Sequence, residues 1–275
     1  MTRWSVSSLA ILFALCNVVL AQPTVTLTLD SPQDGLLVPF GAAVDWSIIA
    51  SASTGDNEGL ALVSCDLTQD PGNAGLFDIP PADGVPGGMT KFSRPAGVSN
   101  PGELDPNTGY IGVQRGDAGQ MNLRQIGGGQ NTFGEALPPG TGIGEDADCI
   151  AGVGQSGAQL VVSGWFVAPD TCGSYTFQLG NAQANVLTEH HSPPDFSPVT
   201  SATVDTSAGT FGFTVTIPGD LDGDFAVGLA DLAQLLGNYG TLNGMTYADG
   251  DLNGDGAVDL ADLAELLGNY GSSCG

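Results

Sequence analysis

Two stretches of alternating acidic residues are the strongest candidates for chemistry in this sequence. The first runs Asp220-Leu-Asp-Gly-Asp224 and the second runs Asp251-Leu-Asn-Gly-Asp255. Aligned from these residues, segments 220–240 and 251–271 are identical at 17 of 21 positions. Carboxylates on alternate residues repel one another unless a cation lies between them. The spacing therefore predicts two copies of one cation-binding element.

The predicted ligands follow the spacing of an EF-hand loop, with oxygen side chains at positions 1, 3, 5 and 12 of twelve residues. Calcium takes about six to eight such oxygens at about 2.3–2.6 Å. In loop one, residues 220–231, the ligands are Asp220, Asp222, Asp224, the carbonyl of Ala226, and Asp231. In loop two, residues 251–262, they are Asp251, Asn253, Asp255, the carbonyl of Ala257, Asp259 and Asp262. We expect two calcium ions.

Two of the three positions at which the loops differ predict that the second site is the stronger one. Position 6, where the chain turns sharply, is Gly256 in loop two but Phe225 in loop one. The Cβ of Phe225 makes a positive φ angle costly. Position 9 is Asp259 in loop two and Gly228 in loop one, which leaves that place to water.

Each loop is followed by apolar residues at the spacing of one helix face. They are Leu229, Leu232, Leu235, Leu236 and Tyr239, and then Leu260, Leu263, Leu266, Leu267 and Tyr270. No amphipathic helix precedes either loop. With its Leu-Leu-Gly-Asn-Tyr-Gly endings at 235–240 and 266–271, the tail from about 219 to 271 resembles a type I dockerin, a duplicated calcium loop and helix.

The resemblance implies protein docking, because dockerins bind cohesins, which are β-sandwich partners on scaffold proteins or cell surfaces. The family reads its partner at loop positions 10 and 11, often a Ser/Thr pair, which here are Leu229-Ala230 and Leu260-Ala261. This departure favours an apolar docking face. The near identity of the copies implies a pseudo-twofold surface that presents either helix. The alternatives are a calcium-stiffened terminal cap without a partner and thrombospondin-like calcium repeats.

The first residues predict secretion. Arg3 precedes the apolar run Leu9 to Leu20, and small residues follow near Ala21, as in a cleaved signal peptide. The run is too short for a comfortable membrane span, although an uncleaved anchor is an alternative. We expect a mature extracellular or cell-surface protein that begins at Gln22 and is not inserted in a membrane.

Four cysteines remain after residue 21, namely Cys65, Cys149, Cys172 and Cys274. An even number in an exported chain predicts disulfides, with three possible pairings. We favour Cys149 with Cys172. Buried free thiols and an interchain bond through Cys274 are the alternatives.

The net charge of −25, from 30 acidic and five basic residues, excludes nucleic acid and anionic membrane surfaces as favourable partners.

Residues 22–217 carry the alternation of antiparallel strands, with Gly and Pro between the runs. The runs are Val25 to Leu29, Val44 to Ile48, Leu60 to Leu67, Leu160 to Val167, Tyr175 to Leu179 and Phe211 to Ile217. The fold class is therefore mainly β: an antiparallel, Ig-like or cohesin-like sandwich followed by a small all-α calcium-binding module. The late strands resemble those of cohesin-like and carbohydrate-binding sandwiches. We assign 1–21 to the signal peptide, 22–217 to the sandwich and 218–275 to the dockerin-like module; segment 70–148 has no assigned role.

The sequence contains no recognisable catalytic set, so no catalytic residue is predicted. His190 and His191 are adjacent and precede Pro193-Pro194, which favours a loop. Gly127-Gly-Gly129 lacks the ending of a phosphate-binding loop, and nothing in their spacing distinguishes Glu145, Asp146 and Asp148 from other acids. Tyr110 and Trp165 are candidates for stacking on sugar rings, but a lone aromatic residue on a strand usually belongs to the core.

We therefore expect a secreted non-catalytic protein that docks to an extracellular assembly through its tail and a cohesin-like partner. The alternative is a dockerin-bearing enzyme that degrades polysaccharide, and polysaccharide is a second expected partner. If the sandwich is cohesin-like, calcium-dependent self-association through head-to-tail contact is a further possibility. Because Pro218-Gly219 leaves almost no linker, the tail is expected not to fold back on its own sandwich.

Overall fold

A computed structural model describes residues 22–75, 92–93, 123–136 and 147–275. The leader 1–21, Tyr110, Glu145, Asp146 and most of segment 70–148 lie outside the described residues. The strands are β1 Thr24–Asp30, β2 Leu37–Pro39, β3 Ala43–Ala52, β4 Leu60–Gln69, β5 Phe92–Ser93, β6 Leu123–Gln130, β7 Gln159–Val167, β8 Gly173–Leu187, β9 Val199–Ser201, β10 Thr203–Ala208 and β11 Thr210–Thr216. The helices are α1 Leu229–Asn238 and α2 Leu260–Asn269, with a 3-10 turn at Tyr247–Asp249. Within these ranges, no helix has the length and apolar character needed to cross a bilayer.

The strands form two sheets, which confirms a mainly β fold. One sheet has the order β10-β1-β3-β7, and the other has the order β2-β11-β8-β4-β6-β5, with β9 paired to β8. The prediction of purely antiparallel pairing is wrong at two edges, where β10 runs parallel to β1 and β2 runs parallel to β11. In both pairs the strands are far apart in sequence, so a long crossover replaces the hairpin that joins antiparallel neighbours.

Side-chain alternation places the core between the sheets, as the sequence predicts. Val25, Leu27 and Leu29 of β1 are buried while the threonines between them are partly exposed. The largest fully buried side chains include Trp46 and Phe177. All six predicted strands are present, and no helix occurs before residue 229 in the described residues.

Strand β6 contains the Gly127-Gly-Gly129 run and was not predicted, because glycine carries no alternation. The absence of a side chain is required there. A Cβ on Gly127 would lie 1.9 Å from the backbone oxygen of Val63 on the neighbouring strand β4. The run therefore serves close strand pairing.

The tail, residues 218–275, shares a second hydrophobic cluster with the end of the sandwich. Its buried members are Ile217, Leu221, Val227, Leu235, Val258 and Leu266, with Phe40 of the sandwich packed against them. Leu235 and Leu266 are fully buried at equivalent positions of α1 and α2. The predicted helices are thus present, and one leucine of each anchors the tail.

The tail packs against the strand ends of the sandwich, so the expectation that it does not fold back is wrong. The phenol of Tyr247 donates to the carbonyl of Ile217 at 3.2 Å and accepts the N–H of Gly219 at 2.9 Å. Gly219 has a φ of +101°, which lets the chain turn directly after β11 without a linker.

A disulfide joins Cys172, immediately before β8, to Cys274 in the tail. The favoured Cys149–Cys172 pairing is therefore wrong. Cys149 and Cys65 are buried free thiols, and the thiol of Cys149 lies 3.3 Å from the hydroxyl of Ser197. The correct pair is 102 residues apart, a separation that spacing alone does not reveal.

Candidate metal centre

Loop one is shaped by its own carboxylates, which accept backbone N–H groups. Asp220 is fully buried and accepts from Gly223 at 2.8 Å and from Phe225 at 3.0 Å. Asp222 and Asp224 each accept the N–H two residues later, at 3.1 and 2.9 Å, as in Asx turns. These bonds curl the backbone around the acidic side chains.

Loop two repeats the arrangement at equivalent positions. Asp251 accepts from Gly254 at 2.9 Å and from Gly256 at 2.8 Å. The amide oxygen of Asn253 accepts the N–H of Asp255 at 2.9 Å, and Asp255 accepts that of the predicted ligand Ala257. The same residue types at the same spacing therefore produce the same local fold twice.

Asp231 and Asp262 close the loops from the first turn of α1 and α2, where the helix dipole favours a carboxylate. Both are buried. Asp231 accepts from Leu221 at 2.7 Å, Asp222 at 3.3 Å and Gly228 at 2.7 Å; Asp262 accepts from Leu252 at 2.9 Å, Asn253 at 3.3 Å and Asp259 at 2.8 Å. Position 12 thus joins both ends of each loop.

The carboxylates of loop one converge. Asp220, Asp222 and Asp224 each place an oxygen within 4.8 Å of the other two. Partial desolvation raises the pKa of Asp222, and the charges of Asp231, Asp224 and Asp220 raise it further, while the N–H of Asp224 lowers it. Loop two has the neutral Asn253 at position 3 and presents one carboxylate fewer there.

The buried negative charge of the two loops indicates whether their residues fit a calcium ion. The four carboxylates Asp220, Asp231, Asp251 and Asp262 are 0–4% exposed, and the sequence has no Lys or Arg after Arg124. Backbone N–H groups offset part of the cost of burying a carboxylate, but they add no net positive charge. A divalent cation would supply that charge, and a set of oxygen donors suits a hard ion such as calcium. The residues fit calcium.

Positions 6 and 9, two of those at which the loops differ, also differ in their structural roles. Phe225 has a φ of +67°, in the region that favours glycine, whereas Gly256 reaches +86° without a side chain. Asp259 serves as the N-cap of α2 and accepts the N–H of Ala261 at 2.7 Å. One oxygen of this predicted ligand is therefore engaged in capping.

The predicted partner-binding residues lie on the surface. Leu229 is 72% exposed and Leu260 is 68% exposed, and Ala230 and Ala261 are exposed beside them. The sequence placed Leu236, Tyr239, Leu267 and Tyr270 on the apolar helix faces but did not predict that they are exposed. They lie on the same helix faces as the buried Leu235 and Leu266. Each face is too wide for a small module to bury completely, and this width is the signal in the sequence that could have indicated their exposure.

The remaining sequence candidates lie on the sandwich. His190 and His191 are in a loop, as predicted, where His190 Nε2 lies 3.1 Å from the carbonyl of Cys149 and His191 Nε2 lies 3.1 Å from Glu189. The sequence favoured a core position for Trp165. This prediction is wrong, because the side chain is 58% exposed on β7. It borders a shallow cavity of about 480 Å³ with Asp30 and Asp45.

Comparison with known proteins matches no protein-family model and no curated protein. The solved structures that it resembles include cohesin modules. The seventh ScaB type I cohesin of Pseudobacteroides cellulosolvens is 12% identical with a TM-score of 0.35, covering 71% of this chain and 93% of that one. A cohesin module from a Clostridium perfringens family 33 glycoside hydrolase is 8% identical with a TM-score of 0.30, covering 66% and 96%. A cohesin–dockerin complex from Clostridium thermocellum is 9% identical with a TM-score of 0.31, covering 70% and 94%.

Proposed function

We propose that this chain is a secreted, non-catalytic protein whose tail binds two calcium ions and docks a protein partner. The observation that carries the proposal is the pair of acidic loops. Their carboxylates are buried, and the tail contains no Lys or Arg that could neutralise them. Each loop leads into a helix, and the two helices expose leucines at matching positions. Asp220, Asp222, Asp224, the Ala226 carbonyl and Asp231 hold one ion. Asp251, Asn253, Asp255, the Ala257 carbonyl, Asp259 and Asp262 hold the other.

Calcium prepares the docking face by fixing where each helix begins. Asp220 and Asp231 come from opposite ends of loop one, so an ion that binds both closes the loop onto the first turn of α1. Leu229 and Ala230 lie within that turn. Ion binding, loop closure and the orientation of the exposed leucines are therefore one coupled step.

The partner is an extracellular or cell-surface protein with an apolar recess, and a cohesin-like β-sandwich is the class that the dockerin resemblance implies. Exposure is nearly equal at equivalent positions of the two helices, at 72% and 68% for Leu229 and Leu260 and at 50% and 52% for Leu236 and Leu267. Either helix presents the same side chains, so the partner binds in two orientations related by the pseudo-twofold axis. A terminal cap without a partner does not require this match.

Capture of partners from the native culture medium, with the full chain as bait, tests the proposal. We expect binding that EDTA abolishes and that the double variant Leu229→Asp/Leu260→Asp loses. Leu242→Asp is the matched control, since Leu242 is 72% exposed but lies between the two repeats. Capture that persists in EDTA, or that Leu242→Asp abolishes equally, would contradict docking through the helices. Calorimetry without heat on calcium addition would remove the metal assignment itself.

Polysaccharide binding by the sandwich is a second candidate, favoured by the exposure of Trp165. Its indole is available to stack on a sugar ring, and Asp30 and Asp45 of the adjoining cavity offer acceptors for sugar hydroxyls. Retention of the protein on a polysaccharide column that Trp165→Ala abolishes would support it. Release of reducing sugar by the purified protein would instead support the enzyme alternative.

A further inference from the structure

Residues 271–274, which we call the pairing segment of loop one, lie antiparallel to the second half of that loop. Ala226 and Ser273 form a β-bridge. The backbone bonds are Gly271 N–H to Val227 O at 2.8 Å, Val227 N–H to Ser272 O at 2.9 Å and Cys274 N–H to Phe225 O at 2.9 Å. The segment thus brackets Ala226, whose carbonyl is a proposed calcium ligand.

Loop two is backed by an equivalent segment, residues 240–245, which follows α1. Its bonds are Gly240 N–H to Val258 O at 2.8 Å, Val258 N–H to Thr241 O at 2.9 Å and Met245 N–H to Gly256 O at 3.1 Å. Each loop is therefore supported by the chain that follows the helix of the other loop. The pseudo-twofold relation extends to this support.

The two loops differ at position 6, and their supporting segments differ in how they are attached to the rest of the chain. Gly256 adopts its positive φ freely, while Phe225 at +67° is held in a region that is strained for a residue with a Cβ. The N–H that meets the Phe225 carbonyl belongs to Cys274, which is bonded to Cys172 of the sandwich. Segment 240–245 instead continues directly into the 3-10 turn and loop two.

Both attachments of loop one lie on adjacent strands of the sandwich. Cys172 precedes Gly173, which pairs with Val215 in the register of β8 and β11. The next residue after Val215, Thr216, donates its hydroxyl to the carboxylate of Asp220 at position 1 of loop one. The sheet end therefore fixes the start of loop one directly and its pairing segment through the disulfide.

We propose that the Cys172–Cys274 disulfide is a positioning device for the loop-one calcium site. It holds the pairing segment against Phe225 and Ala226, keeps the strained turn in its closed form, and so maintains calcium affinity in a loop that lacks the glycine of loop two. The two sites then have similar affinities while the disulfide is present. This inference rests on the proposed binding of calcium by both loops.

Hydrogen exchange of the full chain during a calcium titration tests the proposal, because peptides covering 219–231 and 250–262 report the loops separately. In Cys172→Ala/Cys274→Ala, we expect the loop-one midpoint to rise at least fivefold, since strain of about 1 kcal/mol corresponds to about a fivefold change. The loop-two midpoint should change less than twofold. Cys65→Ala/Cys149→Ala, which removes two cysteines without removing the disulfide, is the matched control.

A rescue variant separates positioning from general stabilisation. Adding Phe225→Gly to Cys172→Ala/Cys274→Ala should restore the loop-one midpoint to within twofold, because the strain that the disulfide opposes is gone. An unchanged loop-one midpoint without the disulfide overturns the proposal, and so does equal weakening of both loops or a failed rescue. If neither loop of the unaltered protein responds to calcium, the proposed function itself has failed and the inference falls with it.

Discussion

Replacing Asp262 with Asn should destabilise loop two and α2 by about 3 kcal/mol. The buried carboxylate accepts the N–H of Leu252 at 2.9 Å and that of Asp259 at 2.8 Å, one on each oxygen. The amide of Asn keeps one acceptor and turns an NH₂ group toward the other N–H. One charge-assisted bond of about 1.5–3 kcal/mol is lost, and the second falls to the neutral range of about 0.5–1.5 kcal/mol.

Amide hydrogen exchange in α2 measures the effect directly. A loss of about 3 kcal/mol in opening free energy accelerates exchange roughly a hundredfold. The effect should be larger in calcium than in EDTA, because the substitution also removes a charged group from the proposed ligand set. Glu265→Gln makes the same change in charge at an exposed position of α2 and should stay within about 0.5 kcal/mol of the parent. If exchange accelerates equally in the two variants, the buried carboxylate does not hold the loop.

Two further predictions concern the sandwich. Burial, with a smaller contribution from Asp66, raises the pKa of the Cys65 thiol from 9.0 to about 12, so between these pH values the unfolded chain loses a proton that the folded protein keeps. The free energy of unfolding should therefore fall as pH rises through this window, by up to about 1.4 kcal/mol per pH unit, and urea titrations of Cys65→Ala should show a shallower decline. Gly164→Ala should lower the free energy of unfolding in urea by about 1–3 kcal/mol, because the new Cβ would lie 2.6 Å from the Trp46 ring. Gly180→Ala is the control and should be nearly neutral, because its Cβ would meet open space. Equal effects of the two substitutions would contradict the packing argument.

The backbone fold of the two acidic loops was predictable from sequence because their geometry is local. Asp222 accepts the N–H of Asp224, and Asp231 accepts the N–H groups of residues nine and ten positions earlier. The spacing of residue types is therefore enough to predict these contacts. Strands with strict alternation, such as β1, were predictable for the same reason. Strand β6 was not predictable, because the need for glycine at Gly127 comes from the close approach of Val63 on another strand.

What the sequence could not show is that the sandwich is attached to one of the two nearly identical repeats. Phe225 reads as a weakness of loop one when each loop is considered alone, and on that ground the second site was expected to be stronger. The disulfide partner of Cys274 lies 102 residues away, and the Thr216 hydroxyl meets Asp220 only because β11 ends there. In the proposed arrangement, this tertiary attachment is what allows a non-glycine residue at the turn. Comparison of the two repeats by sequence alone omits the sandwich that holds one of them.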